Sequence, residues 1–143
     1  MKKRIKTFKL VGVLVLPTLQ EVLLEKKASS EVGFVIPVYQ AENNDTLDTS
    51  WYIQMTDEKT NGKTKFEKKN RNSFVSKGKI EFLPEEECVS GLTESDVYFG
   101  FKYGEQKYCI GTAGKVKEFL RNYNYSGEDE ILKSEIKEFI EEF

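Results

Sequence analysis

The one place where seven residues pass without a polar side chain is Leu10-Val11-Gly12-Val13-Leu14-Val15-Leu16, closed by Pro17. A short, β-branched run with a proline stop fits a strand buried on both faces better than a helix. Ile5–Lys9 extends it backwards, so the pattern predicts one long strand over 5–16 with an exposed basic start and a buried end. Thr18-Leu19-Gln20-Glu21 then has capping-box spacing: the threonine oxygen takes the amide proton three residues on and the glutamate reaches back. A helix is predicted from there to about Ala28-Ser29-Ser30. It places Leu19, Val22 and Leu23 on one face and covers the first strand.

Strand patterns follow. Gly33–Gln40 contains Phe34-Val35-Ile36-Pro37-Val38-Tyr39, and because Pro37 lacks a donor the strand is expected at an edge or a bulge. Ala41–Ser50 reads as a polar loop. Ser50–Thr56 and Lys63–Lys68 flank Asn61-Gly62, whose residues supply the positive φ angles of a hairpin turn. Ser73–Leu83 reads as a hairpin or a single bulged strand around Lys77-Gly78, and Pro84–Asp96 as an acidic irregular segment. Val97–Tyr103 and Gln106–Thr112 form a second hairpin around Gly104-Glu105, with Val97, Phe99 and Phe101 on one face and Tyr98 and Lys102 on the other.

From Lys115 the period becomes helical, with Val116, Phe119, Leu120 and Tyr123 on one stripe. A last helix opens at Ser126 or Gly127 and repeats Ile131, Leu132, Ile136, Phe139, Ile140 and Phe143. The whole pattern predicts a single α+β domain over 1–143. Its sheet is mostly antiparallel or a partly open barrel of about six to seven strands, with one helix after the first strand and two C-terminal helices.

Composition changes this picture little and the function more. With 38% hydrophobic residues the chain can form a core despite 32% charged ones. The net charge of −2 hides segregation. Residues 1–9 hold five bases and no acid; Lys59–Lys79 hold eight bases against Glu67; Ser126–Phe143 hold seven acids against Lys133 and Lys137. Such asymmetry suggests surfaces that face partners. Lys2, Lys3, Arg4, Lys6 and Lys9 before the apolar run mimic a signal peptide, but no small-residue cleavage site follows until Ala28-Ser29-Ser30, behind charges. The expected location is cytoplasmic, and no membrane association is expected. Cys88 and Cys109 are too few and too far apart for a disulfide framework and are expected as free thiols.

Histidine is absent from the chain, which removes the triads and the zinc sites that need imidazole. Gly111-Thr112-Ala113-Gly114-Lys115 stands between a predicted strand and a predicted helix, where a phosphate loop would. It has Cys109 in place of the first Walker glycine and Val116 in place of the magnesium-binding hydroxyl. What remains is a weak anion site of Gly111, Gly114 and Lys115. Glu85-Glu86-Glu87 with Glu94 and Asp96, and Glu42 with Asp45 and Asp48, lack a metal-loop spacing. No metal and no cofactor are expected.

The basic segment is the remaining signal. Lys63, Lys65, Lys68, Lys69, Arg71, Lys77 and Lys79 are interleaved with Phe66, a mixture that suits single-stranded nucleic acid. The same alternation arises when lysines guard an exposed hairpin side while phenylalanine faces the core. With catalytic constellations missing and charge segregated, the sequence points to a non-catalytic binding protein that uses a charged protein–protein surface, such as a small accessory or inhibitor protein of phage or mobile-element type. A nucleic-acid-binding module using 59–79 is the alternative, and a histidine-free enzyme with an acidic site is a third reading.

Overall fold

The computed structural model describes residues 7–17, 23–24, 31–42, 50–56, 64–70, 72 and 77–142. Its strands are β1 (Phe8–Val15), β2 (Val32–Ala41), β3 (Trp51–Thr56), β4 (Thr64–Lys69), β5 (Lys79–Phe82), β6 (Val89–Leu92), β7 (Phe99–Gly104) and β8 (Lys107–Gly111), followed by helices α1 (Ala113–Asn122) and α2 (Glu130–Glu142). All pairings are antiparallel. The architecture is α+β, as the patterning predicts.

β1 is the centre of the sheet. One edge pairs with β2, while β5 lies against its second half (Gly12–Val15) and β6 against its first (Phe8, Leu10). Gly12 is required where β1 meets β5, since a Cβ there would lie 2.7 Å from the Glu81 carbonyl oxygen. Pro37 does not sit at a sheet edge: it lies opposite Val13 in the internal strand β2, next to the register shift at which Leu10 and Gly12 of β1 face Tyr39 and Val38. β2 changes its second partner from β7 at Val35 to β3 at Tyr39, and Pro37 falls where only β1 pairs with it. The missing donor therefore costs no second ladder bond.

Eight strands stand where six to seven were expected, the additional one being β6 inside the segment read as irregular. A 3-10 turn over Glu85–Glu87 separates it from β5. β6 buries only Leu92 of its four residues, too little to leave a period-2 signature. The helix expected over 18–30 lies outside the described residues except for Leu23 and Leu24. Leu23, expected on the buried stripe, is 74% exposed.

The β7–β8 hairpin lies over one face of the main sheet and is covered on its other face by the helices. Tyr108 and Ile110 pack on Val13, Val15 and Val35 and reach the cluster of Phe8, Leu10, Tyr39, Tyr52, Leu83 and Leu92. On the other side Phe101 and Cys109 pack with Val116, Leu120, Leu132 and Phe139. The last helix thus docks on its own core. Its first turn is capped by Asp129, whose Oδ1 accepts from the Leu132 amide at 3.0 Å, three residues beyond the expected start. The hairpin turn is Glu105-Gln106 rather than Gly104-Glu105, with Gln106 taking the left-handed conformation at φ 56°.

Candidate interaction groove

At the corner where β1 ends, β2 begins and α2 begins, a groove of about 930 Å³ opens. Val15, Val32–Ile36 and the Lys102 side chain line it, together with Leu16, Pro17, Leu23 and the stretch Glu128–Leu132 with Glu135. Its shape follows from the chain. β1 ends at Val15, two residues before Pro17, while β2 has already run four residues before meeting it at Ile36, and Asp129 fixes where α2 starts.

Isolated apolar side chains on a surface are ordinary; apolar side chains gathered in one concavity are not. Among the described residues five large hydrophobics are exposed: Leu16, Leu23, Leu24, Phe82 and Ile131. Three of them, Leu16, Leu23 and Ile131, line this groove. Ile131, on the apolar stripe expected to pack either on the sheet or on a partner, is 60% exposed and lines this groove, while Leu132 and Phe139 turn inward.

The groove's cation is already neutralised. Lys102 is buried, and its Nζ lies 3.0 Å from Glu81 Oε2. Tyr108 donates its hydroxyl proton to the other carboxylate oxygen of Glu81, and Lys79 stands 3.8 Å away. Burial acts to raise the Glu81 pKa, but the hydrogen bonds from Tyr108 and Lys102 and the nearby ammonium groups outweigh it and hold the carboxyl below its ordinary value. Tyr108 is pushed up by burial and by the carboxylate it serves. The triad joins the main sheet, through Glu81, to the hairpin layer, through Lys102 and Tyr108. It was visible in sequence only as a lysine on a strand with aromatics on both faces.

The acids are on one wall. Asp129 is committed to its helix cap and Glu130 lies 3.4 Å from Lys133, while Glu128 and Glu135 are exposed and form no ion pair with another described residue. Among the described lining residues, Lys102 is compensated by Glu81, and the acids of the stretch Glu128–Glu135 border the groove.

Of the basic segment singled out from sequence, the described residues lie on or beside different strands. Lys65 and Lys68 are exposed on β4; Lys69 is half-buried and pairs with Glu67 at 2.7 Å. Phe66 turns inward, stacked on Phe8 with ring centroids 3.9 Å apart and edge-on to Tyr39. Lys77 and Lys79 are exposed at the opposite end of the sheet, four strand spacings or about 19 Å away along it. Lys63 and Arg71 lie outside the described residues.

At the head of α1, Thr112 caps the helix and Lys115 folds back across Gly111 to donate to the Ile110 carbonyl at 3.2 Å. Gly114 is exposed on the first turn, and the ammonium points along β8 rather than over the free amides. Glu85, Glu86 and Glu87 are exposed, and Asp96 turns inward to accept from the Thr93 amide at 2.8 Å. Among the described residues no group of three or more acids and cysteines is placed to hold a metal ion. Cys88 and Cys109 are free thiols, and burial pushes the Cys109 thiol up against the opposing influence of Lys115. No described helix is long and apolar enough to cross a membrane.

Compared with known proteins, the chain matches no family model, no curated protein sequence and no solved structure.

Proposed function

We propose that this is a non-catalytic binding protein that recognises another protein through the corner groove. The observation that carries this reading is the concentration of Leu16, Leu23 and Ile131 in one concavity bordered by the acidic stretch Glu128–Glu135. Apolar anchors inside a charged rim are what a protein contact site uses. The side chains with the most chemical potential, Glu81, Lys102 and Tyr108, are spent on one another between two layers of the fold. The nucleic-acid alternative is supported less well, since Phe66 is occupied by core rings and the exposed lysines divide between two ends of the sheet.

The test is site-specific photo-crosslinking in the native cell, with the crosslinker at position 131 and, as a control, at exposed position 118 on α1. The protein captured at 131 is identified, purified and titrated against the wild-type chain. A direct complex that forms with wild type and is captured from 131 only supports the reading. The reading falls if labelled oligonucleotides bind in a salt-dependent way that is lost in a Lys65/Lys68/Lys69/Arg71 alanine variant while no protein titrates.

A further inference from the structure

A second cleft, of about 460 Å³, lies between α1 and α2 and shares no lining residue with the corner groove. We infer that it is a binding site for a compact organic anion, an apolar ring or short chain that carries a carboxylate. This site stands apart from the proposed protein contact.

Sequence sets the charge of the cleft. α2 lies in the stretch Ser126–Phe143, which holds seven acids and only two bases, Lys133 and Lys137. Four residues apart, these two bases stand on one stripe of the helix, and both line the cleft. Arg121, in the last turn of α1, joins them from the other helix. Glu141 is the one acid among the described lining residues. An acidic helix thus turns its bases to one place.

Burial supplies the apolar part. Leu120 is 2% exposed, while Ile136, Ile140, Tyr123 and Tyr125 are half-buried and pack on the cluster around Phe101 and Val116. Arg121, Lys133 and Lys137 are exposed. The cleft therefore grades from packed hydrocarbon and tyrosine rings to cationic tips, and its volume lies in the ordinary range of small-molecule sites.

Its polar groups are largely uncommitted. Lys133 meets Glu130 at 3.4 Å in an exposed contact within the helix, of a kind that contributes little. The side chains of Arg121 and Lys137 form no ion pair or hydrogen bond with another described residue, nor do the hydroxyls of Tyr123 and Tyr125. Free cations beside apolar surface select a ligand that has both characters. The surroundings limit its size. Glu130, Glu135, Glu138 and Glu142 of the same helix are exposed outside the cleft and repel a long polyanion such as nucleic acid. A compact ligand reaches the bases without crossing those acids.

The probes are naphthoate and octanoate, each beside the alcohol of the same skeleton as its neutral counterpart. Each is titrated into the isotope-labelled full chain and followed by amide chemical shifts. Saturable shifts centred on residues 120–125 and 133–141 are expected from at least one of the two anions, with the matching alcohol about threefold weaker or more. Lys133→Gln/Lys137→Gln should weaken that anion by about threefold or more, and Arg121→Gln should weaken it as well. Lys65→Gln/Lys68→Gln, which removes the same charge on β4, should leave it within about twofold of wild type. All of these side chains are exposed, and a melting curve for each variant verifies folding; should the Lys133/Lys137 variant fail to fold, Arg121→Gln decides.

The inference is overturned if neither anion gives saturable shifts at the cleft, if the alcohols bind as tightly as the anions, or if the shifts centre on the corner groove. Equal weakening by Lys65→Gln/Lys68→Gln overturns it too, because net charge rather than the cleft would then account for binding.

Discussion

Among single residues, Glu81 has the most to lose. Its carboxylate accepts from Lys102 and Tyr108 between two β layers, and removing one partner from such a cluster leaves a charge without compensation. Lys102→Met is expected to destabilise by about 2–4 kcal/mol in urea denaturation, less than the ~3–5 kcal/mol of a fully broken buried pair because Tyr108 and Lys79 still face the carboxylate. The pH dependence has a definite sign. A carboxyl held below its ordinary value of 4.5 contributes stability that is present above that value and is lost as pH falls through the folded-state pKa. Glu81→Gln should therefore flatten the acid limb of a melting-temperature profile below about pH 4.5; an unchanged limb would show that other carboxyls govern it. Gln54 is a second such residue. Its Oε1 accepts from the Tyr39 hydroxyl at 2.8 Å and the Tyr98 amide at 3.1 Å, and its Nε2 donates to the Asp96 carbonyl at 2.7 Å. It ties β3 to the loop before β7, a role that no local pattern around Gln54 indicates.

Within elements, the terms separate along α2. Phe139 meets Phe34 and Phe99 with ring centroids 5.4 and 5.2 Å away, Asp129 caps the first turn, and Ile131 projects into the groove. Three substitutions in one helix should differ accordingly. Phe139→Ala should cost about 3–5 kcal/mol as a core truncation and Asp129→Ala about 0.5–2 kcal/mol as a lost cap, with Ile131→Ser within about 0.5 kcal/mol of wild type. Denaturant unfolding of the three variants gives the ordering, and a costly Ile131→Ser would place that side chain in the core instead of the groove. In β1 the sensitive position is Gly12, where Gly12→Ala should cost about 1–3 kcal/mol, because the added carbon meets strand backbone that cannot move without opening the β1–β5 ladder.

At the level of the whole molecule, the layers depend on one another. The hairpin β7–β8 is a middle layer, with Phe101 fully buried against the helices and Tyr108 and Ile110 against the main sheet. Without α2, the faces of Phe34, Phe99 and Phe101 that it covers meet water. A chain ending at Tyr125 is expected to lose its cooperative thermal transition and its near-ultraviolet circular dichroism signal. A truncated chain that still melts sharply would show that the sheet and α1 suffice.

The local periods were legible because they answer to forces acting within a few residues. The apolar run of β1 is central because nothing in it tolerates water. The 3.6-residue stripe of α1 buries Val116 and Leu120, and the alternation of β7 sends Phe99 and Phe101 to one side and Lys102 to the other. Charge segregation was legible too, along with the lack of imidazole chemistry. What the tertiary structure alone decided is which of these features meet. Within the basic segment β4 and β5 are not neighbours, because strand order, not sequence distance, sets which strands pair. β6 exists because β1 has room on one edge beyond β5, and Pro37 sits inside the sheet because β2 changes partners there. Glu81, Lys102 and Tyr108 come from two layers. The groove joins the end of β1, the start of β2 and the start of α2, the first and last of which lie more than one hundred residues apart in sequence, and their apolar and acidic side chains acquire a common meaning only when packing sets them side by side.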